Sequence, residues 1–138
     1  MKILILNGPN LNLIGKREPE IYGNQSLDEY IDSLRKRFVD CEITAFQSNH
    51  EGVLIDKLQD AMGVFDGIVM NPGGYAHTSI ALADAVRAVQ IPVVEVHISN
   101  IYEREAYRHH SFTAEAAVKS IVGHGLEGYA EAIEFLLQ

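Results

Sequence analysis

Apolar residues recur along this chain with two spacings. Ile3–Leu6 and Ile68–Met70 are short unbroken apolar runs, Cys41–Phe46 and Pro92–Val96 are close to that pattern, and Ser120–Val122 is a weaker fifth case. Runs this short, bounded by polar or glycine-rich stretches, predict strands buried on both faces. Between them the period lengthens. Ser26 followed by Glu29 has the spacing of a capping box, and Leu27, Tyr30, Ile31, Leu34 and Phe38 then recur at helical intervals. Ser48 and Glu51 repeat that spacing ahead of Val53, Leu54, Leu58, Ala61 and Met62, with Gly63 as a stop. Ser79–Val89 predicts a helix of small residues, and Leu126–Leu137 a final helix. Ala114–Lys119 fits neither period.

Five short strands alternating with helices predict a three-layer α/β sandwich, because adjacent buried parallel strands need helical crossovers. At 138 residues the chain has the length of one domain, residues 1–138, and the flavodoxin-like order 2-1-3-4-5 is the natural sheet. Ligands of such sheets sit beyond the carboxyl ends of the strands. The segments after strands one, three and four are therefore the places to look for chemistry.

Composition narrows the partners. Eleven basic against nineteen acidic residues leave a net charge of −8, which argues against nucleic acid or an anionic membrane as partner. An anionic small substrate would need a local basic cluster. Cys41 is the only cysteine, which fits a reducing compartment, and MKILILN is too short an apolar start for a signal peptide. With no run of ~20 apolar residues to cross a membrane, a cytoplasmic protein is expected.

After strand one comes NGPNLNLIGKREPEIYG, far longer than the usual connection, so residues 14–24 or so are expected to form a lid. It is not a phosphate-binding P-loop: six residues separate Gly8 from Gly15-Lys16 where that motif has four, and Arg17 stands in place of its Ser or Thr. After strand three comes Asn71-Pro72-Gly73-Gly74-Tyr75-Ala76-His77, where paired glycines permit close backbone approach and Asn71 offers donor and acceptor; a tight turn into a helix explains it equally well. After strand four, alternation puts Glu95 and His97 on one face, so the carboxylate can orient the imidazole, or the pair can be a purely structural contact. Arg104 and Arg108, with His109, His110 and Ser111, supply the positive charge that the chain as a whole lacks. Metal binding is disfavoured there, since no HExxH or CxxC spacing appears.

Taken together and in order, NGPNLN at 7–12, REPEIYG at 17–23, NPGGYAHTS at 71–79, EVHISN at 95–100 and YRHHS at 107–111 resemble the type II 3-dehydroquinate dehydratases of the shikimate and quinate pathways, and GHGLEGY at 123–129 extends the likeness towards the end of the chain. The resemblance implies reversible dehydration of 3-dehydroquinate by anti elimination through an enolate, with no metal, organic cofactor or imine. It implies Tyr22, as tyrosinate, for the base at C2, and Arg17 to lower its pKa, an ordinary tyrosine titrating near ~10. It implies His97, oriented by Glu95, for the acid at the C1 hydroxyl, and Asn10 to hold a water on the enolate oxygen. Asn71 and the backbone of Ile98 and Ser99 would bind the substrate carboxylate and a nearby oxygen, and His77 and Arg108 the ring hydroxyls. Asp84 would reach a neighbouring subunit's site, in trimers packed as a dodecamer. Lys119 stands where relatives often have glycine.

Two rivals remain at this point. A lysine imine would need Lys2, Lys16, Lys36, Lys57 or Lys119, none of which falls at a buried strand end. A non-catalytic flavodoxin-like module binding FMN or a phosphoryl group would need acidic residues or a Ser/Thr-rich loop where this chain has Asn7, Asn71 and GPNLNL.

Overall fold

The computed structural model describes residues 1–16, 20 and 25–138. Strands β1 (Lys2–Asn7), β2 (Glu42–Gln47), β3 (Gly67–Asn71), β4 (Val93–His97) and β5 (Lys119–Val122) form one parallel sheet of order β2-β1-β3-β4-β5. This is the flavodoxin-like order that the alternation of elements predicts. The three central strands are buried on both faces, which is why they read as unbroken apolar runs.

Parity along the strands sorts the core into two layers. Ile3, Ile5, Val69, Val94 and Val96 pack with helices α1 (Leu27–Arg37) and α5 (Glu127–Leu136). Leu4, Leu6, Ile68, Met70 and Val93 pack with α2 (Glu51–Asp60) and α3 (Ile80–Val89). The short helix α4 (Phe112–Ala116) occupies the segment whose periodicity was ambiguous, and Ala116 packs against this second layer.

Helix α1 starts where its capping signal predicts: Ser26 Oγ accepts the Glu29 N–H at 3.1 Å. Asp28 and Glu29 in its first turn, and Arg35, Lys36 and Arg37 in its last, complement the helix dipole. The second capping box does not form. His50 is the N-cap of α2 and Glu51 its first residue, so Ser48 lies two positions too early and instead accepts the His50 N–H at 3.0 Å. The helix also stops at Asp60, ahead of Gly63, which turns the chain at φ 75°. Of the face predicted for it, Leu54, Leu58 and Ala61 are buried, whereas Val53 and Met62 are 37% and 51% exposed.

The loops leaving β1 and β3 lock together. The Gly8 N–H donates to the Asn71 carbonyl at 2.8 Å, and a Cβ on Gly8 would meet the Pro72 carbonyl oxygen at 2.4 Å. Both contacting groups are backbone and cannot step aside. Gly8→Ala is therefore expected to cost ~1–3 kcal/mol through overpacking, read as a lowered midpoint in thermal or denaturant unfolding; an unchanged midpoint would mean the two loops separate freely. Gly73 answers from the other side at φ 60°, its Cβ position 3.1 Å from the Pro9 carbonyl oxygen.

Candidate active site

The interlocked loops form one wall of a cleft of about 170 Å³ at the carboxyl edge of the sheet, room for a small molecule. Pro9, Asn10 and Leu11 reach it from β1, Asn71, Gly73, Gly74 and His77 from β3, and His97, Ile98 and Ser99 from β4. Arg104 and Arg108 close the far side. Asn10 adopts φ 70°, a left-handed conformation that asparagine tolerates better than most residues, and Asn49 Oδ1 accepts its backbone N–H at 3.0 Å.

Glu95 and His97 share a face, as the strand alternation predicts. Glu95 is 0% exposed and His97 5%. His97 Nε2 lies 2.8 Å from Glu95 Oε1, within ion-pair reach of the carboxylate when the imidazole is protonated, although not aligned as a hydrogen bond. Nδ1 is then the ring nitrogen left for a ligand. The remaining lone pairs of the carboxylate are filled by hydroxyls: Ser111 Oγ donates to Oε2 at 2.7 Å, Thr113 Oγ1 donates to the same oxygen, and Ser120 Oγ donates to Oε1 at 2.8 Å. Burial pushes the Glu95 carboxyl up, but the His97 imidazole and the Thr113 and Ser111 hydroxyls outweigh it and hold the group down at about 2. Glu95 therefore stays ionised beside the imidazole.

His77 stacks on His97 with ring centroids 5.9 Å apart. Its Nδ1 lies 2.8 Å from the His110 carbonyl oxygen, which can only accept, so Nδ1 carries the proton and Nε2 the lone pair. Burial lowers the His77 pKa, and His97 and Arg108 add to the effect. A neutral His77 beside His97 suits accepting a ligand hydroxyl.

The cationic stretch after β4 divides by role. Arg108 Nε donates to Glu105 Oε2 at 2.8 Å while lining the cleft, and Arg104 does the same from Ser99, its Nη1 3.3 Å from Ser99 Oγ. His110 pairs with Glu115 at 2.7 Å. Ser111, predicted to belong with these charges, is buried instead, capping α4 through the Ala114 N–H and bonding Glu95. The cleft lining contains no lysine and no carboxylate among the described residues, so the site is locally cationic in an acidic protein.

Other predicted residues lie elsewhere. Asp84 is exposed on α3, 3.6 Å from Arg87, and does not line the cleft of its own chain. Arg17 and Tyr22 lie outside the described residues. Thr113, Ser120 and Tyr129 were not anticipated. Tyr129, on α5, is 0% exposed and bonds both strand-end asparagines: its hydroxyl donates to Asn7 Oδ1 at 2.7 Å and accepts from Asn71 Nδ2 at 3.1 Å.

The sheet order and the buried acid–base pair at its carboxyl edge define a flavodoxin-like α/β protein built for small-molecule chemistry. Residues 1–137 match the family described as dehydroquinase class II. A 3-dehydroquinate dehydratase of Corynebacterium glutamicum strain R is 53% identical over 98% of this chain and 94% of its own. One from Clostridium botulinum strain Hall is also 53% identical, over 98% and 93%. The crystal structure of the type II dehydroquinase from Butyrivibrio crossotus superposes with a TM-score of 0.97 at 47% identity, covering 100% of this chain and 98% of that one. This chain belongs to the class II dehydroquinase family.

Proposed function

We propose that this chain is a hydro-lyase that converts 3-dehydroquinate reversibly to 3-dehydroshikimate; its relatives are named 3-dehydroquinate dehydratases. The observation that carries the reading is the buried Glu95–His97 pair opening onto a cleft lined by Arg104 and Arg108. Tyr22, ionised with help from Arg17, takes the proton from C2 of the substrate, and the electron pair passes to the ketone oxygen as an enolate. Asn10 holds the water that stabilises this oxygen. Collapse of the enolate expels the C1 hydroxyl, and His97 supplies the proton that makes it water. Glu95 remains a carboxylate throughout and stabilises the imidazolium before the transfer.

Asn71 and the backbone of Ile98 and Ser99 bind the substrate carboxylate and a nearby oxygen, while His77 Nε2 and the Arg108 guanidinium meet the ring hydroxyls. The chain's own groups and one water carry each step, with no metal or organic cofactor. Residues 1–138 act as one catalytic domain with a lid at about 14–24, in the cytoplasm, assembled as a dodecamer of trimers in which Asp84 completes a neighbour's site. The exposure of Asp84 supports that last point.

Dehydration creates an enone conjugated with a carboxylate, so purified protein mixed with 3-dehydroquinate is expected to produce a steady rise in ultraviolet absorbance. A flat trace would refute the reading. A flavodoxin-like module without catalysis would bind without that rise.

A further inference from the structure

Tyr129 is a buried titratable residue that the proposed reaction does not use, yet it touches the site. β1 and β3 are hydrogen-bonded neighbours with Asn7 opposite Asn71. Strand parity turns both side chains to the layer that holds α5, and the phenol of Tyr129 stands between them. The direction of each bond follows from donor supply. The phenol has one proton, given to Asn7 Oδ1, so it can only accept from Asn71, which must present its NH₂ group there. Asn71 Oδ1 then faces the other way and accepts the Gly73 N–H at 3.1 Å. Burial pushes the Tyr129 pKa up, so the phenol keeps its proton across the working range. The amide of Asn71 is thereby held in one of its two flips, with its second N–H left for a ligand.

We propose that Tyr129 is a positioning residue that sets the amide orientation of Asn71 and so governs substrate affinity without touching substrate. The inference rests on the proposed binding role of Asn71, and wild-type turnover of 3-dehydroquinate tests that activity separately. Without the phenol only the Gly73 N–H holds the Asn71 amide, and Asn7 Oδ1 and the Asn71 N–H that Tyr129 paired are left without that buried partner.

The test is a double-mutant cycle in the full chain, with steady-state kinetics on 3-dehydroquinate. Tyr129→Phe keeps the ring and is expected to raise KM about tenfold with kcat within about twofold, the pattern of lost uniform binding. In an Asn71→Ala background the same substitution is expected to leave KM unchanged, because the group it orients is gone. Equal KM effects in both backgrounds, or an unaltered KM in folded Tyr129→Phe, would overturn the proposal. A purely structural role would lower the unfolding midpoint and spare KM. Should Tyr129→Phe fail to fold, Asn7→Ala removes the acceptor that fixes the phenol's proton and enters the same cycle. It is expected to raise KM only when Asn71 is present, and an unchanged KM there likewise overturns the proposal.

Discussion

Replacing His97 by asparagine is expected to lower kcat by ~10²–10⁴-fold, the usual contribution of a positioned general acid, with KM little changed. Asparagine keeps polar atoms near the site of the imidazole but cannot deliver a proton to a departing hydroxyl. Initial rates in the ultraviolet assay, fitted across substrate concentration, separate the two parameters. Activity within tenfold of wild type would place the acid elsewhere.

The same substitution should change acid stability in a defined direction. Glu95 titrates at an ordinary 4.5 when unfolded and at about 2 when folded, a difference worth about 3 kcal/mol. A depressed folded pKa contributes stability that is fully present above pH 4.5 and is lost as pH falls through about 2. In His97→Asn the burial that raises Glu95 remains, while the imidazole that did most to offset it is gone. The folded pKa of Glu95 therefore rises, stability at neutral pH falls, and the acid slope between pH 4.5 and 2 flattens or reverses. Denaturant unfolding at a series of pH values checks this, and a slope equal to that of wild type would contradict it.

Sequence revealed the parts of the site that are periodic. Buried runs mark β1, β3 and β4, and strand alternation alone puts Glu95 beside His97. The hydroxyls around Glu95 were hidden because Ser111, Thr113 and Ser120 come from 16, 18 and 25 residues further along the chain. Only the docking of α4 and β5 against β4 makes them neighbours. Residues 98–112 show no period because they fold as single 3₁₀ turns at Ile101–Glu103 and Ala106–Arg108, too short to leave a repeating pattern. Tyr129 carries a usable signal in the strand pattern. Odd positions of β1 and β3 face α5, which puts Asn7 and Asn71 on that side, and a tyrosine on the buried stripe of α5 with two asparagines above it needs a polar partner. The failed cap at Ser48 carries the opposite lesson. Four residues can match a capping box while the helix begins two residues later, because the bend at Ser48–His50 satisfies the serine first.

Tyr22→Phe is expected to lose turnover by at least ~10²-fold while still binding substrate, since only the proton acceptor is removed. The described residues make the demand for such a base plain. Among the described residues the cleft lining holds cations, amides and two histidines but no carboxylate or tyrosine. Tyr30 and Tyr129 are no substitutes: burial raises both phenol pKa values, Glu127 adds to the rise at Tyr30, and neither residue lines the cleft. His77 is the rival that chemistry permits, neutral and with its Nε2 lone pair unused by His110. The two bases separate by experiment. If Tyr22 is the base, Tyr22→Phe abolishes the rise in absorbance but still binds 3-dehydroquinate by calorimetry, and His77→Asn keeps kcat within about tenfold while raising KM. If His77 is the base, the kinetic losses exchange places. Activity of Tyr22→Phe within tenfold of wild type would therefore remove the tyrosinate from the mechanism and assign proton abstraction to the imidazole beside His97.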